Sequence, residues 1–271
     1  MTRRKMIGLS MCSVIARPAL AFRADAQDKP RYRVDKPPGN SRELTSRFSH
    51  DQVDLLEKLN RCDRDHLIHI PSLVTPSEWD LGEVAYSPMP AEYEWVTDRP
   101  KAFVVYLPGQ AFGAYESGRL VRWGPVNSGR LELPTPPGEY HLPWRSPGRP
   151  SSENPDWFLK WYYNFDNAHG FSFHAYTMPG YPASHGCVRM LERDAQWLYE
   201  WGDSWHLSED GVGVESEGTP VWVFGPYDYK RRPPWRSNGW LSKPVNLPSI
   251  LDLHPMASLQ RRRYFHCVSQ S

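Results

Sequence analysis

The rhythm of apolar and polar positions changes at Lys101. Beyond it, AFVVYL (102–107), QAFGAYE (110–116) and RLVRWGPV (119–126) are short runs rich in β-branched and aromatic residues. Pro108-Gly109 and Ser117-Gly118 separate them as hairpin turns. Gaps this short leave no room for a helical crossover, so the pattern predicts an antiparallel meander. FSFH (171–174) and VWVF (221–224) read as further strands. Glu192 to Trp201 carries a helical period, with Ala195, Leu198 and Tyr199 facing inward. Upstream, Ser49-His50-Asp51-Gln52 fits a capping box, and Val53, Leu56 and Leu59 share one face of the helix that follows. Residues 27–48 are polar and proline-bearing and read as a linker. Residues 143–170, full of Trp, Pro and Asn, read as a long loop of the kind that forms lids or binding surfaces. The division predicted is a linker, a helical prefix over 49–100, a mainly β domain over 101–225 and a proline-rich tail over 226–271.

Charge sharpens that division. The chain has 271 residues, 32 basic and 31 acidic side chains, and a formal charge of +1. Residues 1–26 hold five basic and one acidic side chain, residues 27–225 hold 19 and 28, and residues 226–271 hold eight and two. The body is therefore acidic, which argues against nucleic acid as its partner, because phosphate contacts need a cationic face. The basic tail, with Lys230, Arg231, Arg232, Arg261, Arg262 and Arg263, reads as a solvated segment or as a contact for an anionic polymer or membrane. Four cysteines are too few for a disulfide scaffold, and no apolar run is long enough for a bilayer core.

The first residues have the layout of a bacterial export signal. Arg3, Arg4 and Lys5 precede the mildly apolar MIGLSMCSVIA, and small-x-small sites follow at Ala19-Leu20-Ala21 and Ala24-Asp25-Ala26. The paired arginines resemble a twin-arginine signal. Residues 1–26 are thus expected to be an address, and the mature protein to be periplasmic or cell-wall associated. Export permits a disulfide between Cys62 and Cys267.

The chemistry concentrates in FSFHAYTMPGYPASHGCVRM (171–190). His174 ends a strand, and thirteen residues later Cys187 closes Ser184-His185-Gly186-Cys187. A thiol needs a nearby base to become a nucleophile, and imidazole titrates in the right range. Gly186 lets the backbone approach closely and aim N–H groups at a developing oxyanion. Arg189 adds a fixed charge on the same side of an extended segment. His174, His185 and Cys187 are alternatively three ligands of a metal, though the spacing of His185 and Cys187 and the lack of a second Cys or His pair count against it.

This segment resembles the active-site motif of the L,D-transpeptidase family, the YkuD domain. A His there precedes a Ser/Thr-His-Gly-Cys-x-Arg/Asn block. Asn127-Ser128-Gly129 resembles its Thr/Ser-Gly turn, and Thr135-Pro136-Pro137-Gly138-Glu139-Tyr140 its Thr-Pro-x-Gly-x-aromatic motif. The resemblance covers about residues 101–225 and implies a mainly β, sandwich-like domain with a Cys-His groove and a short helix after the Cys motif. It implies acyl transfer on peptidoglycan stem peptides, with no cofactor and no metal. Cys187 would be the nucleophile, His174 the base, and the Gly186 and Cys187 N–H groups the oxyanion donors. His185 would orient the thiolate or oxyanion, and Ser184 would hold the histidine network. Arg189 would bind a substrate carboxylate, hold the turn, or serve in a structural salt bridge. Tyr176 and Trp144 line the groove or belong to the core. A hydrolase using water as acceptor, and a non-catalytic wall-binding protein, are the other readings of the same residues. Upstream, LLEKLNRCDRDHLIHIPSLVTP (55–76) resembles the later half of a LysM module; the other reading is a helical prefix packed on the main domain.

Overall fold

The computed structural model describes residues 30–253 apart from 210 and 212. The expected export signal, Cys267, Arg261, Arg262 and Arg263 lie outside the described residues.

The described residues open with β1 (Tyr32–Asp35), α1 (Ser41–Arg47), α2 (His50–Asn60) and β2 (Leu73–Pro76). Ser49 caps α2 as the sequence suggests: its side chain accepts from the Gln52 N–H, and Gln52 returns a bond to the Ser49 backbone. Val53, Leu56 and Leu59 are buried. The segment read as a linker instead carries β1 and α1. β1 pairs antiparallel with β2, some forty residues on, and such a partner leaves no mark on the local sequence.

The next eleven strands are β3 (Ala102–Tyr106), β4 (Ala111–Glu116), β5 (Arg119–Asn127), β6 (Gly138–His141), β7 (Arg145–Pro150), β8 (Phe158–Asp166), β9 (Phe171–Ala175), β10 (Val188–Met190), β11 (His206–Leu207), β12 (Val214–Ser216) and β13 (Pro220–Phe224). α3 (Glu192–Trp201) follows β10, and α4 (Asn238–Leu241) follows β13. β11 and β12 form a separate hairpin. The other nine make one sheet in the order β6-β13-β3-β4-β5-β10-β9-β8-β7. β3, β4 and β5 are the expected meander. Ser117 and Gly118 both take positive φ, 46° and 80°, as a two-residue hairpin turn of the primed type requires.

The sheet curls around a core of Phe103, Val105, Phe112, Phe173, Val188 and Val221, onto which α3 lays Ala195 and Leu198. Tyr199 is only half-buried; Asp194 takes the inward place. The stretch read as one long loop over 143–170 in fact contains β7 and β8. Trp161 in β8 has φ 53°, and the register shifts between Lys160 and Tyr163. That bulge breaks the alternation by which a strand is recognised.

Prefix and tail pack on the sheet. Arg61, fully buried at the left-handed end of α2, donates to the carbonyls of Gly109 at 3.0 Å, Leu59 at 3.2 Å and Lys58. Its guanidinium lies 5.7 Å from the Trp235 ring centroid and 5.6 Å from that of Trp240. The expected tail thus begins as an ordered strap, with Trp235, Leu241 and Leu247 in the core cluster of the sheet's other face. Asp194 sits fully buried between Arg122 (2.7 Å) and Lys58 (3.8 Å), joining α3, β5 and α2. Removing one member of such a buried group leaves uncompensated charge. Asp194→Ala is expected to cost about 3–5 kcal/mol in denaturant unfolding, with prefix and sheet losing structure in one transition. Loss below 1 kcal/mol would mean that this junction does not hold them together.

Candidate active site

β9 and β10 run parallel, with Val188 opposite Phe173 and Arg189 opposite His174. Opposed residues in a parallel pair share a face, and successive residues alternate. Phe173 and Val188 therefore enter the core, where both are fully buried. Ser172, His174, Cys187 and Arg189 face the other way. Between the strands lies a twelve-residue return, 176–187, in place of a crossover helix.

That return is pinned along its length. Asp63 accepts from the Met178 N–H at 2.7 Å, and the Asp63 N–H donates to the Met178 carbonyl at 3.0 Å. The N–H groups of Ala183 and Ser184 both donate to the Ser128 carbonyl, and Arg130 N–H donates to that of Ser184. Thr135 Oγ1 donates to the Gly186 carbonyl at 2.8 Å and accepts from Gly129 N–H at 2.9 Å. The Asn127-Ser128-Gly129 and Thr135 motifs thus brace the cysteine loop. Ser184 Oγ donates to the Cys187 carbonyl and accepts from the Gly186 N–H at 3.2 Å. Ser184 holds the turn rather than a histidine, and the Gly186 N–H is engaged by it. Gly186 has φ 108°, and a Cβ there would meet the Phe171 ring at 2.4 Å, so glycine is required.

Cys187 Sγ receives a hydrogen bond from Ser172 Oγ at 3.4 Å and lies 4.0 Å from the Gly170 carbonyl. Burial raises the thiol above its ordinary pKa, and the bond from Ser172 acts against that rise. His174 is buried, which pushes its imidazole down to about 4. Its Nδ1 lies 3.1 Å from the Ala175 carbonyl. A carbonyl only accepts, so Nδ1 carries the proton and Nε2 a lone pair. At neutral pH the cavity is thus lined by a thiol and a neutral imidazole.

Cys187 and His174 line a cavity of about 330 Å³ together with Ser184, His185, Tyr176 and Arg189. Trp144, one of the two aromatics read as groove or core, lines it too, as does Tyr176. His185 packs against Trp157, with ring centroids 5.2 Å apart; burial, then the Arg130 charge, lowers its pKa. Arg189 lies 4.8 Å from the Tyr176 ring centroid and donates to the Thr177 carbonyl at 3.2 Å. Among the described residues no carboxylate lies within 4.0 Å of it, so the salt-bridge reading of Arg189 is corrected: it braces the return loop through a carbonyl and a ring. Among the described residues, no group of three or more His, Cys, Asp or Glu side chains is placed to hold a metal ion.

Residues 100–223 match the family model described as the YkuD L,D-transpeptidase catalytic domain. These residues belong to that family. No curated protein matches the chain. Among solved structures, it is similar to the L,D-transpeptidase (Yku) from Stackebrandtia nassauensis, with 26% identity, 48% of this chain and 57% of that chain covered, and a TM-score of 0.39. It is similar also to an L,D-transpeptidase from Mycobacterium smegmatis, with 18% identity, 46% and 59% covered, and a TM-score of 0.37. A fused Zn-dependent amidase/peptidase/peptidoglycan-binding domain-containing protein from Clostridium acetobutylicum shares 16% identity over 46% of this chain and 52% of that chain, with a TM-score of 0.35. The chain thus spans 52% to 59% of these proteins.

Within the L,D-transpeptidase domain, Ser172 escaped the sequence reading. The signal was present: it stands two residues before His174 on a strand, hence on the same face. Because the thiolate must form against burial, alkylation of Cys187 by iodoacetamide is expected to rise with pH through a midpoint above about 8.5, the ordinary thiol value. A rate already at its plateau between pH 6 and 7 would mark a thiolate–imidazolium pair instead and contradict this electrostatic reading.

Proposed function

We propose that this chain is a cysteine-dependent L,D-transpeptidase acting on peptidoglycan stem peptides. The observation that carries the reading is the arrangement at Cys187: a thiol in a cavity shared with a neutral His174 whose tautomer leaves Nε2 free to take a proton. In the proposed reaction, His174 Nε2 accepts the Cys187 proton as Sγ bonds to the carbonyl carbon of the third stem residue. The tetrahedral oxyanion draws on the Cys187 N–H and on the Gly186 N–H as Ser184 releases it. Collapse expels the terminal D-Ala, whose amine takes the proton back from His174. An amine of a second stem then attacks the thioester, returns its proton through His174, and regenerates the thiol. Tyr176 and His185 wall the cavity in which this happens, and Arg189 keeps the cysteine loop in place.

The same reading makes the protein an exported enzyme of the periplasm or cell wall, because its substrate lies there and residues 1–26 have the composition of an export signal.

Two measurements test the reading. Incubation with a carbapenem is expected to add one drug mass to the wild-type protein and none to Cys187→Ala; an adduct on both would remove Cys187 as the nucleophile. Purified uncross-linked muropeptides are expected to yield 3→3-linked dimers, whereas release of shortened stems alone would assign a hydrolase.

A further inference from the structure

The cavity extends away from Cys187 to a second cationic wall that the acyl-transfer chemistry does not use. Trp144 and Tyr162 stack there, with ring centroids 5.1 Å apart and planes 28° from parallel. Trp144 is fixed by a bond from its indole N–H to Asn167 Oδ1 at 2.8 Å, and its carbonyl accepts from Asn164 N–H at 3.0 Å. Over this pair lies the Arg149 guanidinium, 5.4 Å from the Trp144 centroid and 5.1 Å from that of Tyr162. Arg149 stands opposite Leu159 in the β7–β8 register, and both side chains line the cavity.

The platform is joined to the nucleophile through one residue. Tyr162 Oη donates to the Gly170 carbonyl at 3.4 Å, and the same carbonyl lies 4.0 Å from Cys187 Sγ. An extended peptide advances about 3.3–3.6 Å per residue. The second residue of a stem whose third carbonyl is held at Cys187, and the far end of a long side chain on the third, lie about one to three such steps away, along the part of the cavity that Tyr162 and Arg149 line.

Among the described residues Arg149 has no acidic partner. Among the described residues no carboxylate lies within 4.0 Å of its guanidinium, although Glu153 lines the same cavity. Stacking fixes the plane of a guanidinium while leaving its N–H edge available, which suits bidentate recognition of a carboxylate. We infer that Arg149, held on Trp144 and Tyr162, binds a carboxylate of the peptide substrate and makes the domain selective for stems that carry one. This rests on the transpeptidase reading for its substrate class. Two stem carboxylates have this chemistry: the free α-carboxylate of the second residue and the side-chain carboxylate of a diamino-acid third residue.

Binding, measured without turnover, tests the assignment. Calorimetry on full-length Cys187→Ala would compare a tetrapeptide stem with the same stem amidated at residue two, and again at residue three. One amidation is expected to weaken binding roughly tenfold or more, and its position identifies the carboxylate. Adding Arg149→Gln is expected to abolish that discrimination while leaving affinity for the amidated stem unchanged. Arg149→Lys should restore only part of it, since a point charge lacks the planar fork. Equal binding of acid and amide, or discrimination that survives Arg149→Gln in a protein of unchanged melting temperature, would overturn the inference. Failure of the transpeptidase reading shows separately, as intact discrimination by a protein that forms no acyl-enzyme at Cys187.

Discussion

The site depends on one pairing: β10 lies parallel to β9 in a register that opposes Arg189 to His174. A shift of one residue would carry the cysteine and the histidine to opposite faces. With the register set, Cys187 falls beside Ser172, and the alternate residues Phe173 and Val188 lock the pair into the core. The loop from 176 to 187 has to return the chain without a helix, so it is held by bonds from elsewhere. Ser128 and Thr135 hold it from the β5 side, and Asp63 holds it from the prefix.

That last bond gives the prefix its meaning. It is a two-strand, two-helix unit packed on the L,D-transpeptidase domain, and Asp63, between its second helix and second strand, reaches the cysteine loop. The buried Arg61 and the Lys58–Asp194–Arg122 group bind it to the sheet, and Trp235 and Trp240 close over Arg61 from the other end of the chain. Burial at these junctions is costly in charge, and separate burial at the site sets its protonation. Deprived of water, His174 stays neutral and Cys187 stays a thiol. Thiol and imidazole are thus both held uncharged.

Much of this was legible locally. The meander, the Ser49 cap, the span of α3 and the Ser-His-Gly-Cys motif are each written within a few adjacent residues. What was not legible came from distance or irregularity. β1 was hidden because its partner is β2, and β8 because the bulge at Trp161 interrupts its period. Ser172 and Arg149 looked ordinary because their roles arise from register and stacking rather than from a motif. Arg189 had three readings, and the placement of Thr177 and Tyr176 supports that of holding the turn.

The central claim is that the register holds a neutral His174, with Nδ1 protonated, in the cavity that Cys187 lines. Nitrogen NMR of the wild-type protein with labelled histidine, with His174→Gln to assign the signal, tests it most directly. The account predicts a protonated Nδ1 and an unprotonated Nε2 at pH 7, with no change down to about pH 5, since the ring titrates near 4. An imidazolium at pH 7, or the opposite tautomer, would contradict it.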